Sequence, residues 1–292
     1  MNGNPIGVNI DYFDPGENPT LKELKRIIPT LKRLGFDGVM ITGWHEDFIR
    51  GNLKSIKDML ESEGLIVCQI HTTCPNLGDP QRDRRYEAVE VHKRWIEYAV
   101  KLKSETLITH LGGWGNIFDE RERKRAKELN VISVKELVKE VEGTDTLLVV
   151  ENSDICTFLH PEGSGHGFGF FLKDLVEVVE EAGRKHLGIC FDTSHAKVNM
   201  LDLKEEILKT GKYLVTTHMV DTRAIWEMYH LMPGQGIIDF QEVRTALEQI
   251  AFKGFLVLEV MPQRGNRAVK NWEGKVKLLQ EGRDFLKKTF FQ

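Results

Sequence analysis

The 292-residue sequence contains no long apolar run, and this absence excludes a class of proteins. The longest uninterrupted run of apolar residues is four, as at residues 147–150, whereas a helix that spans a membrane needs about 20. The first residues also lack the basic patch and following apolar stretch that are typical of a secretory signal. We therefore expect a soluble protein of the cytoplasm with no membrane partner.

Neither sign of charge is in large excess, and cysteines are rare. Lys and Arg number 40 against 44 Asp and Glu, a net charge of −4, so no global positive field attracts a polyanion. The four cysteines, Cys68, Cys74, Cys156 and Cys190, lie far apart without CxxC pairing, and we expect reduced thiols. Apolar residues make up 41% and charged residues 29%, which supports a large core and excludes a disordered chain.

Short apolar, β-branched segments alternate with amphipathic segments along the chain, which predicts a parallel sheet with helical crossovers. Eight strands are predicted, at residues 6–12, 37–43, 65–72, 106–112, 147–153, 187–194, 214–222 and 255–261. Helices are predicted at residues 20–34, 52–63, 84–103, 134–142, 172–182, 203–210, 240–250 and 272–289. A helical excursion is expected near residues 120–130, and a glycine-rich loop at residues 161–170.

The number of strand–helix rounds favours a closed barrel over an open sheet. Eight rounds in 292 residues give about 36 residues each, the size of a βαβ repeat with modest loops. An open doubly wound sheet usually has about five or six strands and a glycine-rich turn after the first strand. Residues 9–14 contain no glycine, and no linker divides the chain. We predict an α/β protein in which residues 1–292 form a single (β/α)8 TIM barrel domain.

Residues of metal-ligand type follow several predicted strands, at the C-terminal ends where barrel active sites lie. Six of them are His71, His110, Glu151, Asp192, His218 and Glu259. Their successive separations are 39, 41, 41, 26 and 41 residues. Because each step matches about one strand–helix unit, we expect all six side chains to lie in about the same layer.

A carboxylate at the edge of an apolar core needs a compensating positive charge, because its ionisation is otherwise costly. Glu151 follows the apolar residues 147–150 directly. Taken singly, such a carboxylate is equally well explained as a helix N-cap or an ion-pair partner. Taken together, three oxygens and one nitrogen suit manganese or magnesium and also admit zinc or cobalt, the set being Glu151, Asp192, His218 and Glu259.

These strand ends resemble those of the xylose isomerase-like barrel superfamily, which includes sugar isomerases, ketose 3-epimerases, inosose dehydratases and the endonuclease IV type of DNA-repair nuclease. The resemblance runs from about residue 6 to residue 261. Its most specific pieces are Val-Val-Glu-Asn at 149–152, Gly-Ile-Cys-Phe-Asp-Thr-Ser-His at 188–195, Thr-His-Met-Val-Asp at 217–221, His-Leu-Met-Pro-Gly-Gln-Gly-Ile-Ile-Asp-Phe at 230–240 and Leu-Glu at 258–259.

The resemblance implies one divalent metal, with manganese favoured, held by Glu151, Asp192, His218 and Glu259. In the epimerase-like members the two matching glutamates also serve as acid and base. His195 and Arg223 resemble residues that hold substrate oxygens. Further candidates for substrate contact are His71, His110, Trp114 and His230, and the first two are alternatively a second metal site.

The same groups suit a proton-transfer reaction on chemical grounds. A metal bound to two neighbouring sugar oxygens polarises the carbonyl and stabilises the enediolate that forms when the adjacent C–H loses its proton. Glutamates on opposite sides of that carbon can remove a proton from one face and return it on the other, or shift it to the next carbon. The sequence therefore predicts a metal-dependent isomerase or epimerase whose partner is a small sugar or related polyol.

Two alternatives stay open, and a homo-oligomer is compatible with each of them. The first is a three-metal AP endonuclease, whose ligand positions match His71, His110, Glu151, Asp192, His195, His218 and Glu259, with a similar loop at Gly163-Ser164-Gly165. Those nucleases carry an Asp-x-His pair before a Gly-x-Gly turn, whereas this chain has Glu227-Met228-Tyr229 and so lacks a ligand for the third metal. Nucleic acid is accordingly the less favoured partner. The second alternative is a non-catalytic sugar-binding barrel.

Overall fold

Eight parallel strands pair in sequence order and close into a barrel. The computed structural model describes residues 3–13, 20–116, 118–155, 168–225, 230–261 and 269–292. The strands are β1 Ile6–Asn9, β2 Gly38–Thr42, β3 Ile66–His71, β4 Thr106–His110, β5 Leu147–Glu151, β6 Leu187–Asp192, β7 Leu214–His218 and β8 Leu256–Leu258. The predicted (β/α)8 TIM barrel is confirmed, and the assignment of all of residues 1–292 to one domain stays a prediction.

Helices connect the strands and pack against their neighbours around the barrel. In the described part of the chain the α-helices are α1 Leu21–Leu34, α2 Glu46–Glu63, α3 Arg82–Leu102, α4 Glu120–Val141, α5 Leu172–Ala182, α6 Thr193–Val198, α7 Leu203–Thr210, α8 Phe240–Gln249 and α9 Trp272–Phe291. No helix within those described ranges is long and apolar enough to cross a membrane. The helix α1 shows the local signals clearly: it begins at a capping box between Thr20 and Glu23 and ends at Gly35, which adopts the left-handed conformation.

The apolar core has two parts, one inside the barrel and one between the strands and the helices. Along β2, Met40 joins an interior cluster with Cys68, Phe255 and Val257. Its neighbours Val39 and Ile41 instead join the large cluster beneath the helices. This alternation follows from the pleat of a strand, which directs successive side chains to opposite faces.

Several predicted strands end earlier than expected, and the helix predicted at 52–63 begins at Glu46; two differences have a clear local reason. The strand predicted at 6–12 ends at Asn9, because the Asn9 side-chain oxygen accepts a hydrogen bond from the Asp11 N–H (2.9 Å) and turns Ile10–Phe13 into a 3-10 helix. The helices expected near 120–130 and at 134–142 are one helix, α4. Its central polar residue, Asn130, is satisfied inside the core by hydrogen bonds to both backbone groups of Gly112.

Some residues singled out in the sequence lie outside the described residues. They are Cys156, the Gly163-Ser164-Gly165 part of the glycine-rich loop, and Glu227-Met228-Tyr229. The three cysteines that are described, Cys68, Cys74 and Cys190, are buried free thiols. The expectation of reduced thiols therefore holds for these three.

We expect the helix layer to depend strongly on Trp95 of α3, which is fully buried and meets Tyr98 edge-on with ring centroids 5.3 Å apart. Trp95→Ala should lower the free energy of unfolding by about 3–5 kcal/mol, because it leaves a large cavity. The matched variant Trp95→Phe should cost roughly half as much, since it keeps a ring and the indole N–H has no hydrogen-bond partner among the described residues. Chemical denaturation at pH 7 measures both losses, and equal losses would contradict this account.

Candidate metal and active site

Six of the candidate residues lie at the C-terminal ends of consecutive strands, from β3 to β8: His71, His110, Glu151, Asp192, His218 and Glu259. The first five are the last residues of their strands, and the sixth directly follows β8. In the strand registers His110 pairs with Glu151, and Asp192 pairs with His218. Because all strands are parallel, these side chains share one rim of the barrel.

Four of the six side chains meet at one buried position. Ligand atoms of Glu151, Asp192, His218 and Glu259 all lie within 4.8 Å of one another. The Nδ1 atom of His218 is 2.9 Å from Glu151 Oε1, 3.0 Å from Glu259 Oε2 and 3.9 Å from Asp192 Oδ2. The most exposed of the four residues, Glu259, is only 8% exposed. Three carboxylates and one imidazole are therefore held together away from water.

Asp192 shows that this group fits a cation. Its Oδ1 accepts hydrogen bonds from Ser194 Oγ (2.9 Å) and from the His195 backbone N–H (2.6 Å). Its buried Oδ2 has no hydrogen-bond partner within the described part of the chain. An unsatisfied buried carboxylate oxygen is costly, and a bound cation removes that cost. The donor set of three oxygens and one nitrogen suits manganese or magnesium and admits cobalt or zinc.

The ionisation of the metal-free group shows the same need for positive charge. Burial alone would lower the pKa of His218, but the acidic groups around it, Glu151 and Glu259 among them, raise that pKa well above its usual value. Burial likewise opposes a charge on Glu259, yet the charge of His218 lowers the pKa of Glu259 to about 2. The pKa of Glu151 is also held well below its usual value, against burial, by His218 and His110. Protonated histidines thus provide the charge that a divalent ion would otherwise supply.

Asn152 joins the ends of β5 and β6 beneath this group. Its side-chain amide donates to the Asp192 carbonyl oxygen (3.1 Å), and its side-chain oxygen accepts from the Asp192 N–H (2.8 Å). The Asn152 carbonyl oxygen in turn accepts from His195 Nδ1 at 2.7 Å. No role was expected for Asn152, although the Glu-Asn pair at 151–152 is part of the motif that carries the family resemblance.

His71 and His110 lie beside the four-residue group and contact the same glutamate. Their Nε2 atoms are 3.0 and 3.5 Å from Glu151 Oε2. Cys74, for which no site role was predicted, lies with its Sγ 3.7 Å from His71 Nδ1. Ligand atoms of His71, Cys74 and His110 lie within 4.8 Å of one another. Cys74 was missed because a thiol three residues after a histidine carries no recognisable motif.

The other predicted substrate residues occupy different places around the mouth. His195 Nδ1 is 3.4 Å from Glu151 Oε1. The Nδ1 of His230 donates to the Glu259 carbonyl oxygen (3.2 Å), and its ring lies 5.8 Å from that of His195. Arg223 is partly buried in the segment after β7. Trp114 is 50% exposed and donates its indole N–H to Asp79 Oδ2 at 3.2 Å. Their roles in substrate binding stay predictions.

Asp221 holds the segment that carries His230. Its buried carboxylate accepts hydrogen bonds from four backbone N–H groups at 2.8–3.1 Å, those of Thr222, Gly234, Gly236 and Ile238. A Cβ atom at Gly236 would overlap the Thr222 carbonyl oxygen, so the approach requires glycine. From the sequence Asp221 was only one more polar residue at the end of a strand, and its structural role depends on residues up to 17 positions away.

We expect the metal-free protein to lose stability as the pH rises from about 6.5 to 9. Burial opposes the charge on His195, but Asp192 and Glu151 raise its pKa from 6.5 to about 9. A raised histidine pKa stabilises the fold fully below pH 6.5, and this contribution is lost as the pH approaches 9, at about 1.4 kcal/mol per unit. Thermal melts in EDTA between pH 6 and pH 9.5 test this. His195→Asn should flatten the decline, and an equally steep decline in that variant would contradict the assignment.

The chain matches the family model described as xylose isomerase-like TIM barrel over residues 28–289. A D-psicose 3-epimerase from Enterocloster bolteae is 25% identical over 292 aligned residues, which cover 92% of this chain and 88% of that protein. A probable endonuclease 4 from Carboxydothermus hydrogenoformans is 26% identical over 154 residues, 52% of this chain and 50% of that protein. The matched region thus includes nearly the whole barrel.

The fold is also similar to that of solved structures. A D-psicose 3-epimerase from Clostridium cellulolyticum H10, crystallised with D-tagatose, superposes with a TM-score of 0.79 over 98% of this chain and 99% of that one. The sequence identity is 19%, so this likeness concerns the fold alone.

Proposed function

The chain belongs to the xylose isomerase-like TIM barrel family, and we propose that it is a divalent-metal-dependent epimerase or isomerase of a sugar or related polyol. The observation that carries the proposal is the buried convergence of Glu151, Asp192, His218 and Glu259. The extent of the sequence matches favours sugar chemistry, because the epimerase match covers most of both proteins and the endonuclease match about half of each. The cytoplasmic location and a homo-oligomeric state stay predictions.

In the proposed reaction Glu151 and Glu259 are the acid and base. They come from β5 and from the end of β8, and both approach Nδ1 of His218, at 2.9 and 3.0 Å. When bound, the divalent ion would polarise the substrate carbonyl and stabilise negative charge on its oxygen. One glutamate removes the proton next to that carbonyl, and the other returns a proton to the opposite face, which inverts the carbon. Delivery to the neighbouring carbon instead gives isomerisation.

The groups around the acid and base are suited to hold hydroxyl groups of a sugar. His71 and His110 contact Oε2 of Glu151, whereas His218 contacts Oε1. We assign substrate contacts to these two and to His195, His230, Arg223 and Trp114. Imidazole and guanidinium groups donate hydrogen bonds to hydroxyl oxygens, and an indole offers an apolar face to a sugar ring.

A DNA-repair nuclease of the endonuclease IV type is the second candidate. The observation that favours it is the contact of both His71 and His110 with Glu151 Oε2, which allows a second cation to share that carboxylate. The substitution that argues against a third metal, Tyr229, lies outside the described residues. A count of bound metal therefore separates the two functions.

We expect elemental analysis of the purified protein to find about one divalent ion per chain, manganese, cobalt, magnesium or zinc. One ion fits the four-residue group without the third set of ligands. Near three zinc ions per chain would instead support the nuclease. A quadruple control in which Glu151, Asp192, His218 and Glu259 are replaced by Ala reports metal bound elsewhere.

We expect Glu259→Gln to reduce turnover by about 10²–10⁴-fold, because the amide cannot exchange a proton with substrate. The variant should keep the folded far-UV circular dichroism spectrum of the wild type. Metal-dependent uptake of solvent deuterium into a ketose carbon measures the proton transfer and also distinguishes an enzyme from a sugar-binding barrel. Glu128→Gln, on the exposed face of α4, is the matched control. Ordinary exchange in Glu259→Gln would remove Glu259 from the acid–base pair.

A further inference from the structure

Gln69 of β3 is a polar residue in the interior of the barrel, where no part of its side chain reaches solvent. Such interiors are usually filled by Val, Ile and Leu, and a buried amide is costly unless its groups are hydrogen-bonded. The Gln69 amide is bonded at both ends. Its Oε1 accepts from His218 Nε2 at 2.9 Å, and its Nε2 donates to Thr216 Oγ1 at 2.7 Å.

Two register irregularities accompany this pair of contacts. In β3, Cys68 is an extra residue, without a register partner on β2, immediately before Gln69. In β7, Val215 is likewise extra relative to β6, immediately before Thr216. The two strands lie opposite each other in the closed barrel, four strands apart in either direction. Because a bulge changes the direction of the following side chain, both irregularities serve to bring Gln69 and Thr216 together across the interior.

The contact with Gln69 determines which nitrogen of His218 is available to a cation. The Nδ1 atom faces the carboxylates of Glu151 and Glu259, and the Nε2 atom faces the Gln69 oxygen. A neutral imidazole carries one proton, and an amide oxygen can only accept it. Nε2 therefore keeps its proton on the Gln69 oxygen, and Nδ1 is the nitrogen whose lone pair can bind a cation that lies among the carboxylates. Thr216 fixes the amide, because its hydroxyl oxygen accepts the amide N–H.

We propose that Gln69 is a positioning residue, which sets the tautomer and the orientation of His218 so that Nδ1 is presented to the divalent ion. The proposal rests on the metal site proposed above and goes beyond it, since Gln69 itself contacts neither the ion position nor the substrate. Partners of this kind orient a metal-binding histidine and raise its basicity, and their loss typically weakens metal binding by about 10–100-fold.

The test is Co²⁺ titration calorimetry on full-length protein stripped with EDTA. Gln69→Met keeps the length of the side chain and removes both hydrogen-bonding groups, and it should weaken Co²⁺ binding by about 10–100-fold. Gln69→Glu keeps an acceptor for Nε2–H, and the Thr216 hydroxyl can then donate, so its affinity should return to within about threefold of the wild type.

The matched control is Thr146→Val, directly before β5. Thr146 is buried and donates to the Ser104 carbonyl oxygen at 2.8 Å, away from Gln69 and its bulge. Thr146→Val therefore removes one buried hydrogen bond and should leave Co²⁺ affinity unchanged. A loss of affinity common to both variants would mean that any buried hydrogen bond has this effect, and it would overturn the role of Gln69.

The remaining outcomes separate this proposal from the function. Wild-type affinity in Gln69→Met would overturn the positioning role and leave the metal site standing, whereas failure of the wild type to bind Co²⁺ would overturn both. If Gln69→Met does not fold, long-range ¹H–¹⁵N spectra of the zinc-loaded wild type decide the matter. They should show His218 protonated at Nε2 and metal-bound at Nδ1, and the reverse assignment would refute the proposal.

Discussion

The site depends on one electrostatic constraint, which is that buried carboxylates must face a positive charge. Glu151, Asp192 and Glu259 surround the single imidazole of His218 at the end of an apolar barrel, with little access to water. The acids raise the pKa of His218, and His218 in turn lowers the pKa values of Glu151 and Glu259. Asp192 Oδ2 has no hydrogen-bond partner among the described residues. A divalent cation would balance all three carboxylates at once, and the proposed proton abstraction needs the same positive charge.

The barrel makes such a cluster possible because it brings residues from distant parts of the chain to one rim. This part could be predicted from the sequence. The alternation of strands and helices fixes the fold class, and a spacing of about one strand–helix unit places His71, His110, Glu151, Asp192, His218 and Glu259 at equivalent positions. Sequence periodicity is reliable here because five of these residues end a strand and the sixth directly follows one, and the C-terminal ends of parallel strands in a barrel must share an edge.

Residues whose role depends on a distant partner could not be predicted. Gln69 reads as one polar residue in a strand, and only the irregular register of β3 and β7 brings it to His218, 149 positions away. Asn152 bonds to the end of the neighbouring strand β6, and Cys74 lies beside His71 just after β3 ends, so strand periodicity predicts neither contact. The end of β1 was misjudged for a related reason, since the side chain of Asn9 competes locally with the strand. In each case a hydrogen bond, rather than hydrophobic periodicity, decides the outcome.

The hydrogen bonds to Asp221 fix the backbone path of the segment at 230–238 without using the side chains of that segment. The segment that carries His230 is held through backbone N–H groups, which every residue except proline possesses. The N–H groups of Gln235 and Ile237 bond instead to the carbonyl oxygens of Met232 and Thr222, so positions 234–238 must all stay free of proline, whereas the side chains at 235 and 237 take no part in these bonds. One buried acid thus fixes the path of the backbone at this rim, and the side chains at 235 and 237 can change without altering that path.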